Sequence, residues 1–527
     1  MTADTVTLAA DRFDAVLFDM DGVVTDTAQA HAAAWKQMFD AFLQARAGDG
    51  DYQPFDPESD YLHYVDGKPR LDGVRDFLAA RGLRLPEGAP DDPADRETVH
   101  GLGRRKNRYF RQWLETHRVR TYPSTLGLIR ALKGLGVRVA VFSSSRNAER
   151  VLRNAGVRGL FDVRVDGADA AEQGLAGKPD PAVLLEAARR LDVVPGRAMV
   201  VEDSEAGVEA GARGGFGLVV GITRARGAAF EKEANALKAR GAAPVVSDLS
   251  EVALERSGRR LQSLERLTDA GAARHRLRER LAGRPLAVFL DFDGTLTPIV
   301  EDRSRAVLDE AMREALRRLG RQVPVAILSG RDLPDVRERI GLDGLFYAGS
   351  HGFEIAGPGG AHHTLRKGEA FLPELDRAER ELKARLAGVA GGDVERKRFA
   401  LAVHYRQVDD ARVPEVEAAV DAVTERQPGL RKGHGKRVFQ VQPAMEWDKG
   451  RALCWVLERM DLPADAVALY IGDDETDEDA FRALGRGGIG IVVRDGSRFS
   501  AAGFALDDPE AVRGFLEWLA TLREEGG

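Results

Sequence analysis

Leu286-Ala-Val-Phe-Leu290, followed by Asp291-Phe-Asp293-Gly294-Thr295-Leu296, decides how this chain is read. Five apolar residues ending at two acids and a glycine describe a buried strand with chemistry at its carboxyl end. Open parallel sheets gather their reactive groups in the crevice beyond such strand ends. Carboxylates at i and i+2 leave the strand on the same side, so one attacks while the other handles protons. A second copy stands near the amino terminus: Ala15-Val-Leu-Phe18, then Asp19-Met-Asp21-Gly22-Val-Val-Thr25. The chain reads as two phosphate-handling domains in tandem.

Outward from these strands the same order recurs. In the first half, residues 26–46 carry helical periodicity through Ala30, Ala33, Ala34, Met38 and Phe42. Val137–Phe142 reads as a strand running into Ser143, Gly177-Lys178 opens a helix, and Met199–Val201 ends at Glu202-Asp203. Val245–Leu249 reads as the last strand of that half. In the second half, Val323–Leu328 runs into Ser329-Gly330-Arg331, Trp447-Asp-Lys449-Gly450 opens a helix, and Val467–Ile471 ends at Gly472-Asp473. This βαβα rhythm predicts an α/β fold with a doubly wound parallel sheet in each half. The acidic stretches 48–60 and 84–98, which contain Pro and Gly, read as surface loops. Residues 258–284, rich in Arg, Leu and Glu, read as a solvated linker helix between domains 1–257 and 285–527.

The spacings match. Asp19 and Asp203 lie 184 residues apart, Asp291 and Asp473 182. Lysine to acidic cluster is 25 residues in one half and 24 in the other. Aspartate to serine is 124 against 38, and serine to lysine 35 against 120, so a large insertion sits at a different place in each half. These insertions predict caps at about 27–120 (helical) and about 345–443 (α+β), placed to cover the sites. Only 13 lysines occur in the chain, which makes the matched pair Lys178 and Lys449 telling.

The residue types suit phosphoryl transfer. Asp291 takes the phosphoryl group as an aspartyl phosphate, and Asp293 protonates the leaving alcohol and then deprotonates water. Clustered anions need a hard cation, and Mg²⁺ among Asp291, the Asp293 carbonyl, Asp473 and Asp477 supplies it. Ser329, Gly330, Arg331 and Lys449 hold the non-bridging oxygens. The first half maps likewise: Asp19 and Asp21 for chemistry, Ser143 and Lys178 for phosphate, Glu202 and Asp203 for metal.

Other readings fall away. In a calcium loop the glycine stands sixth, and here it stands fourth, after a strand. No Gly-x-x-x-x-Gly-Lys-Ser/Thr loop occurs, and Gly485-Arg-Gly-Gly-Ile-Gly490 follows a helix, as a turn does. A net charge of −7 argues against nucleic-acid and membrane partners. No apolar run approaches the ~18 residues of a spanning helix, and the first residues carry no basic leader, so a soluble cytoplasmic enzyme is expected. A single cysteine, Cys454, excludes disulfides and is expected in the core, and His362-His363 is expected exposed in a Gly-rich turn. Oligomeric state stays open.

The ordered set resembles the haloacid-dehalogenase superfamily, whose members have Rossmann-like cores with caps. Asp291-Phe-Asp-Gly-Thr-Leu, Leu328-Ser-Gly-Arg331, Gly349-Ser-His-Gly-Phe-Glu354, Glu395-Arg-Lys397, Leu401-Ala-Val-His404-Tyr-Arg406, Trp447-Asp-Lys-Gly450 and Gly472-Asp-Asp-Glu-Thr-Asp-Glu478 resemble the trehalose-6-phosphate phosphatases across roughly 285–520. That resemblance implies trehalose 6-phosphate as substrate, with Glu395 and Lys397 on sugar hydroxyls and His351 as a further contact. Gln440-Val-Gln442-Pro443 departs from the Glu-x-Arg-Pro common in the family. The first half is similar to β-phosphoglucomutases through Asp19–Thr27, His31, Trp35-Lys36, Asp66-Gly-Lys-Pro-Arg70 and Lys106-Asn107. There the resemblance implies that Thr27 and His31 position Asp21, that Lys106 binds substrate, and that Arg70 grips a distal phosphate. The alternative is a non-catalytic scaffold.

Overall fold

Burial explains the two founding strands. Ala15–Asp19 and Leu286–Leu290 are buried along their whole length, as strands sandwiched between helix layers must be. The computed structural model describes residues 5–47, 52–65, 68, 70–300, 305–360, 362–364, 366–410, 412–435, 437–485 and 487–526. Residues 48–51 of the first predicted loop, and Asp66, Gly67 and Pro69 of the Arg70 motif, lie outside them. The chain forms two compact units, Met1–Ser263 with Ser497–Phe499, and Leu264–Gly496 with Ser500–Gly527.

In the first unit a six-stranded parallel sheet runs Val163–Val165, Arg138–Phe142, Ala15–Asp19, Ala198–Glu202, Leu218–Ile222, Val245–Val246. The strands carrying Asp19, Ser143 and Glu202 are therefore neighbours at the centre. The cap between the strands Ala15–Asp19 and Arg138–Phe142 comprises helices α1 (Ala28–Ala47), α2 (Arg70–Ala80) and α3 (Val99–Thr116). Its core is aromatic, with Phe39, Phe55 and Phe77 fully buried against one another. The 84–98 stretch is not merely a solvated loop: buried Asp92 accepts from the Ala89 amide (3.1 Å) and from the Thr98 hydroxyl (2.7 Å), folding the segment on itself.

The second unit is built on a nine-stranded sheet, ordered Thr268–Asp269, Phe504–Leu506, Ile489–Val493, Val467–Gly472, Leu286–Leu290, Val325–Leu328, Phe346–Gly349, Glu354–Ala356, His362–Thr364. The first seven run parallel, and the last two pairings are antiparallel, so Glu354–Ala356 runs against the rest. Phe346–Thr364 thus belongs to the core sheet, and the cap begins later than the expected residue 345. The cap proper is a four-stranded antiparallel sheet, Asp393–Lys397, Ala400–His404, Val438–Pro443, Leu430–Gly435, packed on helices Leu372–Leu386 and Val413–Arg426.

Three further expectations change. The linker helix over 258–284 is helical only at Arg274–Leu281; Val252–Arg256 and Arg259–Ser263 form a hairpin instead. Ser257 (φ 51°) and Gly258 (φ 75°) make a two-residue turn with both φ positive, the turn that matches strand twist. Cys454 is exposed on the helix Lys449–Leu457, not packed in the core. His362 and His363 lie in a strand, and the His363 ring stacks on Trp455 at 4.6 Å. Among the described residues no helix is long and apolar enough to cross a membrane.

Candidate active sites

Both Asp-x-Asp-Gly turns fold alike. Gly22 N donates to Thr25 O and Gly294 N to Thr297 O, each at 2.8 Å. Gly22 (φ 82°) and Gly294 (φ 85°) are left-handed, and a Cβ at either would overlap the carboxylate of Asp203 or Asp473. Glycine is required there twice over, by dihedral and by room for the acid.

In the second unit Lys449 Nζ lies between Asp291 (2.7 Å) and Asp477 (2.6 Å), all three buried. The lysine starts a helix capped by Asp448, whose carboxylate accepts from the Arg451 amide at 2.8 Å. Asp477 also accepts from the Tyr470 hydroxyl and from the amides of Asp473 (2.9 Å) and Asp474 (2.8 Å). Four donors fill the acceptor positions of that carboxylate. Burial opposes the charge on Asp477, but Lys449, Tyr470 and the backbone outweigh it and hold its pKa below the usual value. Burial raises the Asp291 carboxyl well above that range, with Lys449 opposing and Asp477 and Asp473 adding to the rise.

The phosphate loop differs from expectation in one respect. Ser329 Oγ accepts from the Arg331 amide (3.1 Å), tightening the loop. Arg331 itself is turned onto Asp293, with Nε to Oδ2 at 2.7 Å and Nη2 to Oδ1 at 2.6 Å, and a further bond to Asp335 at 2.9 Å. The His351 ring packs over Gly330, where a Cβ would meet Cε1 at 2.8 Å, and its amide donates to Ser329 O at 2.9 Å. Lys397 reaches from the cap and donates to the Gly330 carbonyl at 2.8 Å. Glu395, two residues earlier on the same face of its strand, pairs with His404 at 2.8 Å. Of the two expected cap residues, Lys397 reaches the loop and Glu395 is engaged with His404.

In the first unit Lys178 Nζ joins Asp19 (2.5 Å) to Glu202. Glu202 also accepts from the Ser204 amide (2.7 Å) and hydroxyl (3.0 Å). Asp21 accepts from the Thr27 hydroxyl and, at 3.3 Å, from the Ser143 hydroxyl. Burial raises the carboxyls of Asp19, Asp21 and Asp203. His31 does not hold Asp21: its Nδ1 lies 2.6 Å from Lys106 Nζ, and its ring stacks on Phe110 at 4.5 Å. Burial pushes Lys106 and His31 well below their usual values, and Arg70 adds to both effects. Arg70 opens α2 beside a basic cleft.

Among the described residues, two sets of three carboxylates bring their oxygens within 4.8 Å of one another: Asp19, Glu202 and Asp203, and Asp291, Asp473 and Asp477. An all-oxygen anionic set suits a hard divalent cation. Sequence reading missed Tyr470, whose signal is a tyrosine inside the buried strand just before Gly472-Asp473. It also missed the Arg331–Asp293 fork, for which no sequence signal exists.

The family models match in two places, Trehalose-phosphatase over residues 289–510 and haloacid dehalogenase-like hydrolase over residues 13–215. The chain is 43% identical over 410 residues to a trehalose-phosphate phosphatase of Mycobacterium leprae, covering 75% of this chain and 92% of that one. The chain belongs to the trehalose-phosphate phosphatase family. It is also 44% identical over 523 residues to an uncharacterized glycosyl hydrolase of Mycobacterium tuberculosis. That match covers 97% of this chain, which spans 38% of the longer relative. A solved C-terminal domain of a Candida albicans trehalose-6-phosphate phosphatase aligns with TM-score 0.43 and 24% identity, over 48% of this chain and 98% of that one. In both matched regions of this trehalose-phosphate phosphatase family member the core is an α/β sheet with acids at its central strand ends.

Proposed function

We propose that the second unit hydrolyses trehalose 6-phosphate in two displacements at Asp291. The observation that carries this is the buried Asp291–Lys449–Asp477 chain, with Asp293 two residues from the nucleophile, beneath a cap whose Lys397 touches the phosphate loop. An Asp291 oxygen forms a bond to phosphorus while the ester P–O bond breaks, and Asp293 gives its proton to the departing sugar oxygen. Asp293 then takes a proton from water as that water's oxygen bonds to phosphorus, and Asp291 leaves as carboxylate. Lys449 orients Asp291 and opposes the loss of its charge, Ser329 stands where the non-bridging oxygens gain charge, and Arg331 grips Asp293. Asp291 and Asp473 would hold Mg²⁺, with Asp477 orienting Asp473 through its amide, and the cation would supply positive charge beside the phosphoryl oxygens. The first unit, on Asp19 and Asp21 with Lys178, is read as a second phosphoryl-transfer site with Asp203 and Glu202 at its metal.

The test is phosphate release by the full chain on trehalose 6-phosphate. Asp291→Asn is expected to lose roughly four or more orders of magnitude, Asp19→Asn to leave this activity in place, and chelation to abolish it until Mg²⁺ is returned. Substantial turnover by Asp291→Asn refutes the nucleophile. Gln440 and Gln442, at family positions that commonly carry Glu and Arg, favour a second reading, another sugar phosphate. Faster release from a different sugar phosphate in the same assay selects it.

A further inference from the structure

A cleft of about 1130 Å³ opens in the first unit, lined by residues of α2 and α3 and of the segment 146–150. Seven arginines line it against two acids, Asp72 and Glu115, in a chain whose net charge is −7. Arg75, at the edge of the same wall, pairs with Asp72 and Glu87. Among the described residues Arg70, Arg108, Arg111, Arg146 and Arg150 form no ion pair with a carboxylate. Burial and the charges of Arg146 and Arg111 hold Arg70 below the usual arginine value. Such mutual repulsion is a standing cost unless an anion relieves it.

The cationic array is built rather than scattered. Asn147, buried, donates to the Asn107 side chain (2.8 Å) and accepts from Arg111 Nε (3.1 Å), which fixes a guanidinium from α3 against the segment after Ser143. Arg104, Arg108 and Arg111 stand at i, i+4 and i+7, one stripe of α3 about 10 Å long. One phosphate engages two or three guanidiniums at one point and cannot span such a stripe. The cleft adjoins the site of Asp21: Asn107 in its wall is bonded to Asn147, four residues after Ser143, whose hydroxyl donates to Asp21 at 3.3 Å.

We propose that this cleft holds the non-reacting end of the first unit's substrate, and that this end is a small polyanion of two or more linked phosphoryl groups. The assignment rests on reading Asp19 as the first unit's phosphoryl acceptor. The concave wall, which among the described residues carries no Phe, Tyr or Trp on which bases stack, favours a small polyanion over a nucleic-acid strand.

The test uses the full chain carrying Asp19→Asn and Asp291→Asn, in a chelator, so that binding is read without turnover. Titration calorimetry with inorganic phosphate and with tripolyphosphate is expected to show tripolyphosphate tighter by at least about tenfold. Adding Arg108→Gln, Arg111→Gln and Arg150→Gln, all at exposed positions, is expected to erase the preference, and Arg108→Gln with Arg150→Gln, which leaves Asn147 engaged, to erase most of it. Arg75→Gln is expected to leave it intact. Equal binding of the two anions overturns the proposal, as does a preference that survives the triple variant. A short oligothymidylate that binds tighter than tripolyphosphate and is lost in the same variant overturns it in favour of a nucleic-acid surface. Failure of Asp19 as acceptor shows separately, as turnover by the first unit that does not depend on that residue.

Discussion

The two units place a lysine between the first aspartate of the Asp-x-Asp pair, Asp19 or Asp291, and a second carboxylate, but they draw that carboxylate from different addresses. In the first unit it is Glu202, the residue before Asp203; in the second it is Asp477, four residues after Asp473. Each unit has glycine where the other has the acid. A Cβ at Gly207, the counterpart of Asp477, would overlap Glu202 Oε1, and a Cβ at Gly472, the counterpart of Glu202, would overlap Asp477 Cγ. One volume beside the lysine is filled once, from the strand end or from the following helix, and the vacated position must lack a side chain. The position of the charge is fixed and its attachment to the backbone is not.

Exchange is the sharpest way to break this comparison. Gly207→Asp alone puts a second acid into the space of Glu202, and is expected to cost about 3–5 kcal/mol, the range for an uncompensated buried charge. Glu202→Gly with Gly207→Asp, which rebuilds the second unit's arrangement inside the first, is expected to recover most of that. Denaturant unfolding of the three proteins decides it, and a double variant no more stable than Gly207→Asp would show that the two addresses are not equivalent.

The second aspartates of the two pairs, proposed as acid/base groups, differ too. Asp21 is held by hydroxyls, which donate or accept and so suit a carboxyl in either protonation state; Asp293 is held by a guanidinium fork, which only donates. Arg331→Met is expected to lower the turnover of trehalose 6-phosphate about 10²-fold, the scale of a misplaced catalytic group, with KM changed less and Arg331→Lys intermediate. An effect confined to KM would return Arg331 to a simple phosphate contact.

The smallest effect separates the units by pH. Burial, Lys106 and Arg70 hold His31 well below its usual 6.5. As pH falls through 6.5 the unfolded chain takes up a proton that the folded chain refuses, so His31 makes the first unit less stable on acidification, by about 1 kcal/mol from roughly pH 7.5 to 5.5. His31→Asn is expected to flatten that part of the slope in thermal melts; identical slopes in the two proteins would remove His31 as its source.

The sequence located most of the residues that the structure gathers, because Asp291, Asp293, Ser329 and Asp473 directly follow the apolar runs that mark the strands and Lys449 opens a helix beside them. What each side chain grips was hidden, since the Arg331–Asp293 and Tyr470–Asp477 bonds depend on how strands distant in sequence are brought side by side. The 258–284 misreading had a local remedy: Ser257-Gly258 between alternating Val252–Arg256 and Arg259–Ser263 is a hairpin signal that Arg- and Leu-rich composition masks. The cap boundary was lost because Glu354–Ala356 and His362–Thr364 extend the core sheet antiparallel, which no parallel rhythm announces.

Lys397 has one more consequence. It is a cap residue, yet its ammonium sits on the carbonyl of Gly330 in the phosphate loop. Any movement of the cap away from the loop would withdraw this cation, so the loop's affinity for an anion would differ between the two positions. By thermodynamic reciprocity, a bound anion must favour closure by the same factor by which closure favours the anion. Substrate capture and product escape then share one equilibrium, and a phosphate held too well would keep its own exit shut.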